Sequence, residues 1–166
     1  MARIHEGGAV DDAVREVRER TDELARTLDA GARGDEGIAH DAFQEAAEAL
    51  ILHAIVRDEP LPSPAALGVA PEAYLLGLGD AVGEVRRLVL ADLAHGRLDS
   101  AEARLALMDG LYRALLRFDT TRAIVALKPK QDTARSLLER TRGEVTMARV
   151  LARAPGGIAH RPTEEA

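Results

Sequence analysis

The chain has 166 residues, 46% hydrophobic and 30% charged, which suits one domain with a sizeable core and is too apolar for a disordered chain. A formal charge of −6 opposes a polyanion over the surface as a whole, so any nucleic-acid site is local, and aromatics at 2% argue against base-stacking sheets. The absence of cysteine excludes disulfides, thiolate metal sites and cysteine nucleophiles.

Val14, Val17, Leu24 and Leu28 keep a helical period from Asp11 to Ala30, with Arg and Glu on the other face, and Gly31 and Gly34 end this first helix. A second helix runs from Ile38 to Arg57, most apolar toward Leu50, Ile51, Leu52, Ile55 and Val56. The prolines at 60, 62 and 64 make a connection, because proline lacks the amide donor and restricts its predecessor. Ser63 caps a short turn through Leu67, and Pro71 starts a third long helix that reaches His95 and is closed by Gly96. Asp99 or Ser100 caps a fourth helix through Phe118, whose buried stripe is Leu105, Met108, Leu111, Tyr112 and Leu115.

A short segment spans Thr120 to Leu127, and after Pro129 a last long helix runs to Arg153. The predicted fold is all-α, an antiparallel helical bundle of about five to six helices. Residues 1–153 form the helical domain and 154–166 a disordered tail. No apolar run approaches a membrane span and the first residues lack a signal-peptide pattern, so a cytoplasmic protein with no membrane partner is expected.

Four acids stand as two pairs, Glu45 with Glu48 and Asp80 with Glu84, on the second and third long helices. Residues three or four apart share a helix face, where like charges repel by roughly a few tenths of a kcal/mol, so such pairs among apolar neighbours suit a compensating cation. Hard ions such as Mg²⁺ and Mn²⁺ take oxygen ligands of this kind and assist hydrolysis of phosphodiesters or pyrophosphates. The alternative is chance, since 28 acids in the chain produce many such spacings. Glu16, Glu19 and Glu23 show the same spacing on a face filled with Arg and read as solvated charge. Composition and spacing leave both readings open.

Gly77, Gly79 and Gly83 lie on the helix with Asp80, each costing roughly 1 kcal/mol relative to Ala. Gly79 and Gly83, four apart, present a face where another backbone can come close. Glu-x-x-His spacing is missing around the acids, which disfavours a di-iron bundle, and His40, His53 and His95 read as surface or satisfied core histidines. Ser100 and Ser136 lack a nucleophile elbow, and no glycine loop follows a strand. Arg86, Arg87, Lys128, Lys130, Arg135, Arg140 and Arg142 are candidates for phosphate contact, with Arg86 and Arg87 favoured because they follow Glu84.

The runs Phe43-Gln44-Glu45-Ala46-Ala47-Glu48-Ala49 and Tyr74-Leu75-Leu76-Gly77-Leu78-Gly79-Asp80-Ala81-Val82-Gly83-Glu84-Val85-Arg86-Arg87 resemble the translin family, from about residue 10 to residue 150. The likeness is to prokaryotic members and to translin-associated factor X rather than to translin itself. It implies that Glu45, Glu48, Asp80 and Glu84 match the four acids held to bind Mg²⁺ or Mn²⁺ for RNA cleavage in the catalytic partner. It also implies a homo-oligomer, in this family a hollow octamer that takes RNA inside, where inward-facing bases such as Arg86, Arg87 and Lys130 reconcile RNA with a net charge of −6. Lys130-Gln131-Asp132 resembles a further family feature. The family has more helix before or within residues 11–30 than Met1–Gly7 can supply, which bears on octamer formation and RNA affinity.

The expected function is therefore a metal-dependent endoribonuclease acting on short or single-stranded RNA. The rivals are a non-catalytic RNA-binding or scaffold protein of the same fold, and an all-α nucleoside-triphosphate pyrophosphohydrolase, which also uses paired helical acids around Mg²⁺.

Overall fold

The computed structural model describes residues 2–29, 36–118 and 127–154. Among these residues six helices follow in order: α1 (Ala2–Asp29), α2 (Glu36–Val56), α3 (Pro64–Leu67), α4 (Pro71–Ala94), α5 (Leu98–Leu116) and α6 (Leu127–Arg153). The fold is an all-α bundle, as the periodicity predicts. The predicted stops at Gly31 and Gly34, most of the segment Thr120 to Leu127, and the tail beyond Ala154 lie outside the described residues.

α4 is the central element and packs most extensively against α5 and α2, then against α6. Its apolar residues explain why: Leu78, Ala81, Val82, Val85 and Val89 are buried together with Ile51 of α2, Met108, Leu111 and Leu115 of α5, and Ala134, Leu138 and Val145 of α6. A second cluster, Ala47 and Leu50 of α2 with Leu67 and Val69, takes Val14 and Val17 of α1 against it. Contacts fix the directions. Asp80 of α4 meets Gln44 and Gly77 meets Glu48, so α2 and α4 run antiparallel. Gln131 reaches the Leu115 carbonyl and Arg149 reaches Glu102, so α5 and α6 do likewise. α4 and α6 are parallel, since Lys130 meets Asp80 and Glu144 meets Arg86 further along both.

Several helix ends differ from expectation. α1 starts at Ala2, well ahead of Asp11. No proline bars the way there, and extending an existing helix through Gly7 and Gly8 costs roughly 1 kcal/mol per glycine against Ala, far less than nucleating one. α5 starts at Leu98 without a side-chain cap, so Asp99 sits inside its first turn rather than before it. The tight turn decides this: Gly96 takes φ +69°, and the Arg97 amide donates to the Asp92 carbonyl at 2.8 Å, leaving no room for a longer linker. α6 includes Pro129 in its first turn, where the missing amide has no helical partner to lose. Ser63 does cap α3, its hydroxyl accepting from the Ala66 amide at 3.1 Å.

Asp92, 1% exposed, ties the C-terminal end of α4 to α5 by accepting from Arg97 at 2.8 Å and from Arg104. Among the described residues, no helix is long and apolar enough to cross a membrane.

Candidate metal centre

Three helices bring chemistry to one place. α2 presents Gln44 and Glu48, α4 presents Asp80 and Glu84, and α6 presents Lys130 from its first turn. The crossing of α2 over α4 depends on Gly77: a Cβ there would lie 2.6 Å from the Gln44 carbonyl oxygen, 2.9 Å from the Glu48 nitrogen and 3.0 Å from the Ala47 Cβ. The close backbone approach expected at Gly79 and Gly83 thus occurs two residues earlier. Gly79 instead faces the stem of Lys130, and Gly83 has only ordinary contact, 3.8 Å, with Leu137.

Asp80 is fully engaged. Gln44 Nε2 donates to Oδ2 at 2.7 Å and Lys130 Nζ donates to Oδ1 at 2.5 Å. Glu84 pairs with Arg87 on its own helix at 3.1 Å. Burial, and then the charges of Asp80 and Glu84, push the Glu48 carboxyl above its ordinary range; Lys130 pulls the other way, and Glu45 adds a smaller upward push. Burial first and the neighbouring acids second thus disfavour the ionised form of Glu48.

Glu45 stands apart from the other three. It is exposed and lines a groove of about 400 Å³ between α1 and α2, with Val17, Leu24, Phe43 and Arg20 among its neighbours. The helical arc explains the separation: Gln44 and Glu48, four apart, look to α4, while Glu45 is turned toward α1. Gln44 is the site residue that sequence reasoning missed, although its place one turn before Glu48 on the same face was the available signal.

The donor set, three carboxylates from two helices, has the right chemistry for a hard divalent ion. As the side chains stand, no three His, Asp or Glu among the described residues are gathered closely enough to hold one. Asp80 is turned to Lys130 and Glu84 to Arg87, so each carboxylate already has a cation beside it.

The arginines divide sharply. Arg87 is 78% exposed. Arg86 is 14% exposed and donates to both Glu144 oxygens, at 2.6 and 2.9 Å, and to Thr141 Oγ1 at 2.6 Å, so it is a bidentate tie between α4 and α6. The Arg86 hydrogen bonds hold Glu144 below its ordinary value of 4.5. A carboxyl lowered in the folded state stabilises above its unfolded pKa and stops doing so as pH falls through the lowered value. Arg86→Gln should cost about 1–2 kcal/mol at pH 7, discounted for the solvent at Glu144. In urea melts the gap between parent and variant should close as pH is lowered well below 4.5.

Comparison with solved structures bears on this site. The chain aligns with AfC3PO in complex with duplex RNA at a TM-score of 0.65 and 27% identity, covering 92% of this chain and 95% of that one. The fold is translin-like. A second AfC3PO structure gives 0.62 at 26% identity, covering 92% and 96%, and apo-NeC3PO gives 0.61 at 20%, covering 89% and 95%. An uncharacterized protein of Methanocaldococcus jannaschii, MJ0175, is 39% identical over 103 residues. That match takes in 61% of this chain and 46% of the relative, so it spans less than half of the relative's length. No family model matches the chain.

Proposed function

We propose that the protein is a Mg²⁺- or Mn²⁺-dependent endoribonuclease acting on short or single-stranded RNA, closer to translin-associated factor X than to translin. The observation that carries this reading is that the close α2–α4 crossing at Gly77 sets Glu48 near enough to Asp80 and Glu84 for their charges, after burial, to raise its carboxyl. The similarity to AfC3PO, solved with duplex RNA, supports RNA as the substrate class.

In this reading Glu48, Asp80 and Glu84 would hold the ion, and Glu45, turned toward α1, would join only if its side chain swings toward α4. A bound divalent ion supplies charge neutralisation at a phosphoryl oxygen and a more acidic water. The protein's part is to place the carboxylates, and one of them also orients the attacking water. Arg87, exposed beside Glu84, supplies positive charge for a neighbouring phosphate, while Arg86 keeps α4 and α6 together. Assembly into a closed homo-oligomer, an octamer in the family it resembles, turns such bases inward and lets an acidic protein take RNA.

A second reading, an RNA-binding protein of the same fold without turnover, is favoured by the pairing of Lys130 with Asp80, which already neutralises one carboxylate. Labelled single-stranded and duplex RNA incubated with Mn²⁺ or with EDTA separates the two. Cleavage in Mn²⁺ alone is expected for a nuclease; retention of RNA on the protein with no cleavage in either condition selects the second reading.

A further inference from the structure

Of the 22 basic residues only two are lysines, at 128 and 130, both in the first turn of α6. They are placed differently. Lys128 is 76% exposed and pairs with Asp132 on its own helix. Lys130 is 30% exposed and reaches across to α4, where its ammonium meets Asp80, itself 27% exposed.

The reach is built into α4. A Cβ at Gly79 would lie 3.0 Å from Lys130 Cβ, 3.4 Å from Cγ and 3.6 Å from Cδ, so the lysine stem lies in the space that the glycine leaves. A glycine inside a helix weakens that helix, and here the position without a side chain is the one that seats Lys130. The choice of lysine in a chain dominated by arginine matters chemically. Guanidinium grips a carboxylate with a rigid fork, as Arg86 does with Glu144, whereas ammonium is a compact, strongly hydrated charge on a flexible stem. It holds Asp80 through one oxygen and can be exchanged.

We infer that Lys130 is a displaceable counter-ion of the acid cluster: its ammonium neutralises Asp80 when no divalent ion is bound, and leaves Asp80 when one binds. The inference rests on the metal-centre reading and adds to it an internal competitor that sets metal affinity. Gln44, neutral and on the other oxygen, keeps Asp80 oriented through the exchange. The competition has a direct corollary: removing the ammonium while keeping the stem frees one carboxylate oxygen for the ion.

The test uses the parent protein and Lys130→Met. In the parent, limited acetylation followed by peptide mass mapping reads Lys130 against Lys128 as an internal reference. The Lys130 to Lys128 ratio should rise about fivefold or more between EDTA and saturating Mn²⁺. In calorimetry Lys130→Met should bind Mn²⁺ about tenfold more tightly than the parent, the order of effect of one partly screened charge. Mn²⁺ binding to the parent with an unchanged ratio, or a variant that binds no more tightly, overturns the counter-ion role and leaves the metal centre standing. Failure of both proteins to bind Mn²⁺ removes both. If the variant does not fold, the acetylation ratio in the parent decides alone.

Discussion

Asp80→Asn is expected to lower metal-dependent RNA cleavage by at least about a hundredfold, since even groups that only support a metal ligand cost about 10–100-fold. The substitution is nearly isosteric, and its amide oxygen can still accept from Lys130 or Gln44, which hold Asp80 from two sides. The folded protein should therefore survive, with thermal unfolding in EDTA close to that of the parent. Activity and fold separate in this variant because Asp80 lies at the edge of the core rather than inside it. Cleavage of labelled RNA at parental rates by folded Asp80→Asn would show that Asp80 is not part of the centre.

Gly77→Ala should be the most damaging single methyl in α4. Its Cβ would meet two backbone atoms of α2 at 2.6 and 2.9 Å, and backbone cannot rotate away as a side chain can. Overpacking of this kind costs about 1–3 kcal/mol or somewhat more, against up to about 1 kcal/mol recovered from helix propensity. Relief requires α2 to move off α4, which separates Glu48 from Asp80 and Glu84. Cleavage should thus fall further than stability alone accounts for. Gly83→Ala is the matched control: with 3.8 Å to Leu137 it should be neutral or stabilising by about 0.5–1 kcal/mol, with activity kept. Chemical denaturation of the two variants side by side, with the cleavage assay, reads both effects. Equal behaviour of the two would mean that the crossing does not set the site.

Much of this was legible before any coordinates. Pro71, Gly96 and Ser63 mark helix ends by local chemistry, and all three do so. The buried stripe of α5 follows from period, with Met108, Leu111 and Leu115 buried and Leu105 and Tyr112 partly so. Spacing also put Asp80 and Glu84 on one face. What spacing could not reveal is what stands opposite. Gly77 and Gly79 are alike in sequence, yet one meets backbone and the other a lysine stem, because that depends on which helices cross there. Arg86 and Arg87 are neighbours in the chain, but a one-residue step turns one to α6 and leaves the other in solvent. Glu45 and Glu48 share a spacing, but the arc between them turns Glu45 to the α1–α2 groove and Glu48 toward the acids of α4.

The ion pairs between α4 and α6 also carry information about alignment. One runs from a base on α6 to an acid on α4, Lys130 to Asp80, and the other from a base on α4 to an acid on α6, Arg86 to Glu144. Sliding α6 forward by a turn could offer Lys130 to Glu84, but would carry Glu144 toward Leu90. Sliding it back would set Lys130 against Leu76 and Gly77. Because the two ties have opposite polarity, neither slip keeps both charges satisfied, and the pair of helices shares a single register.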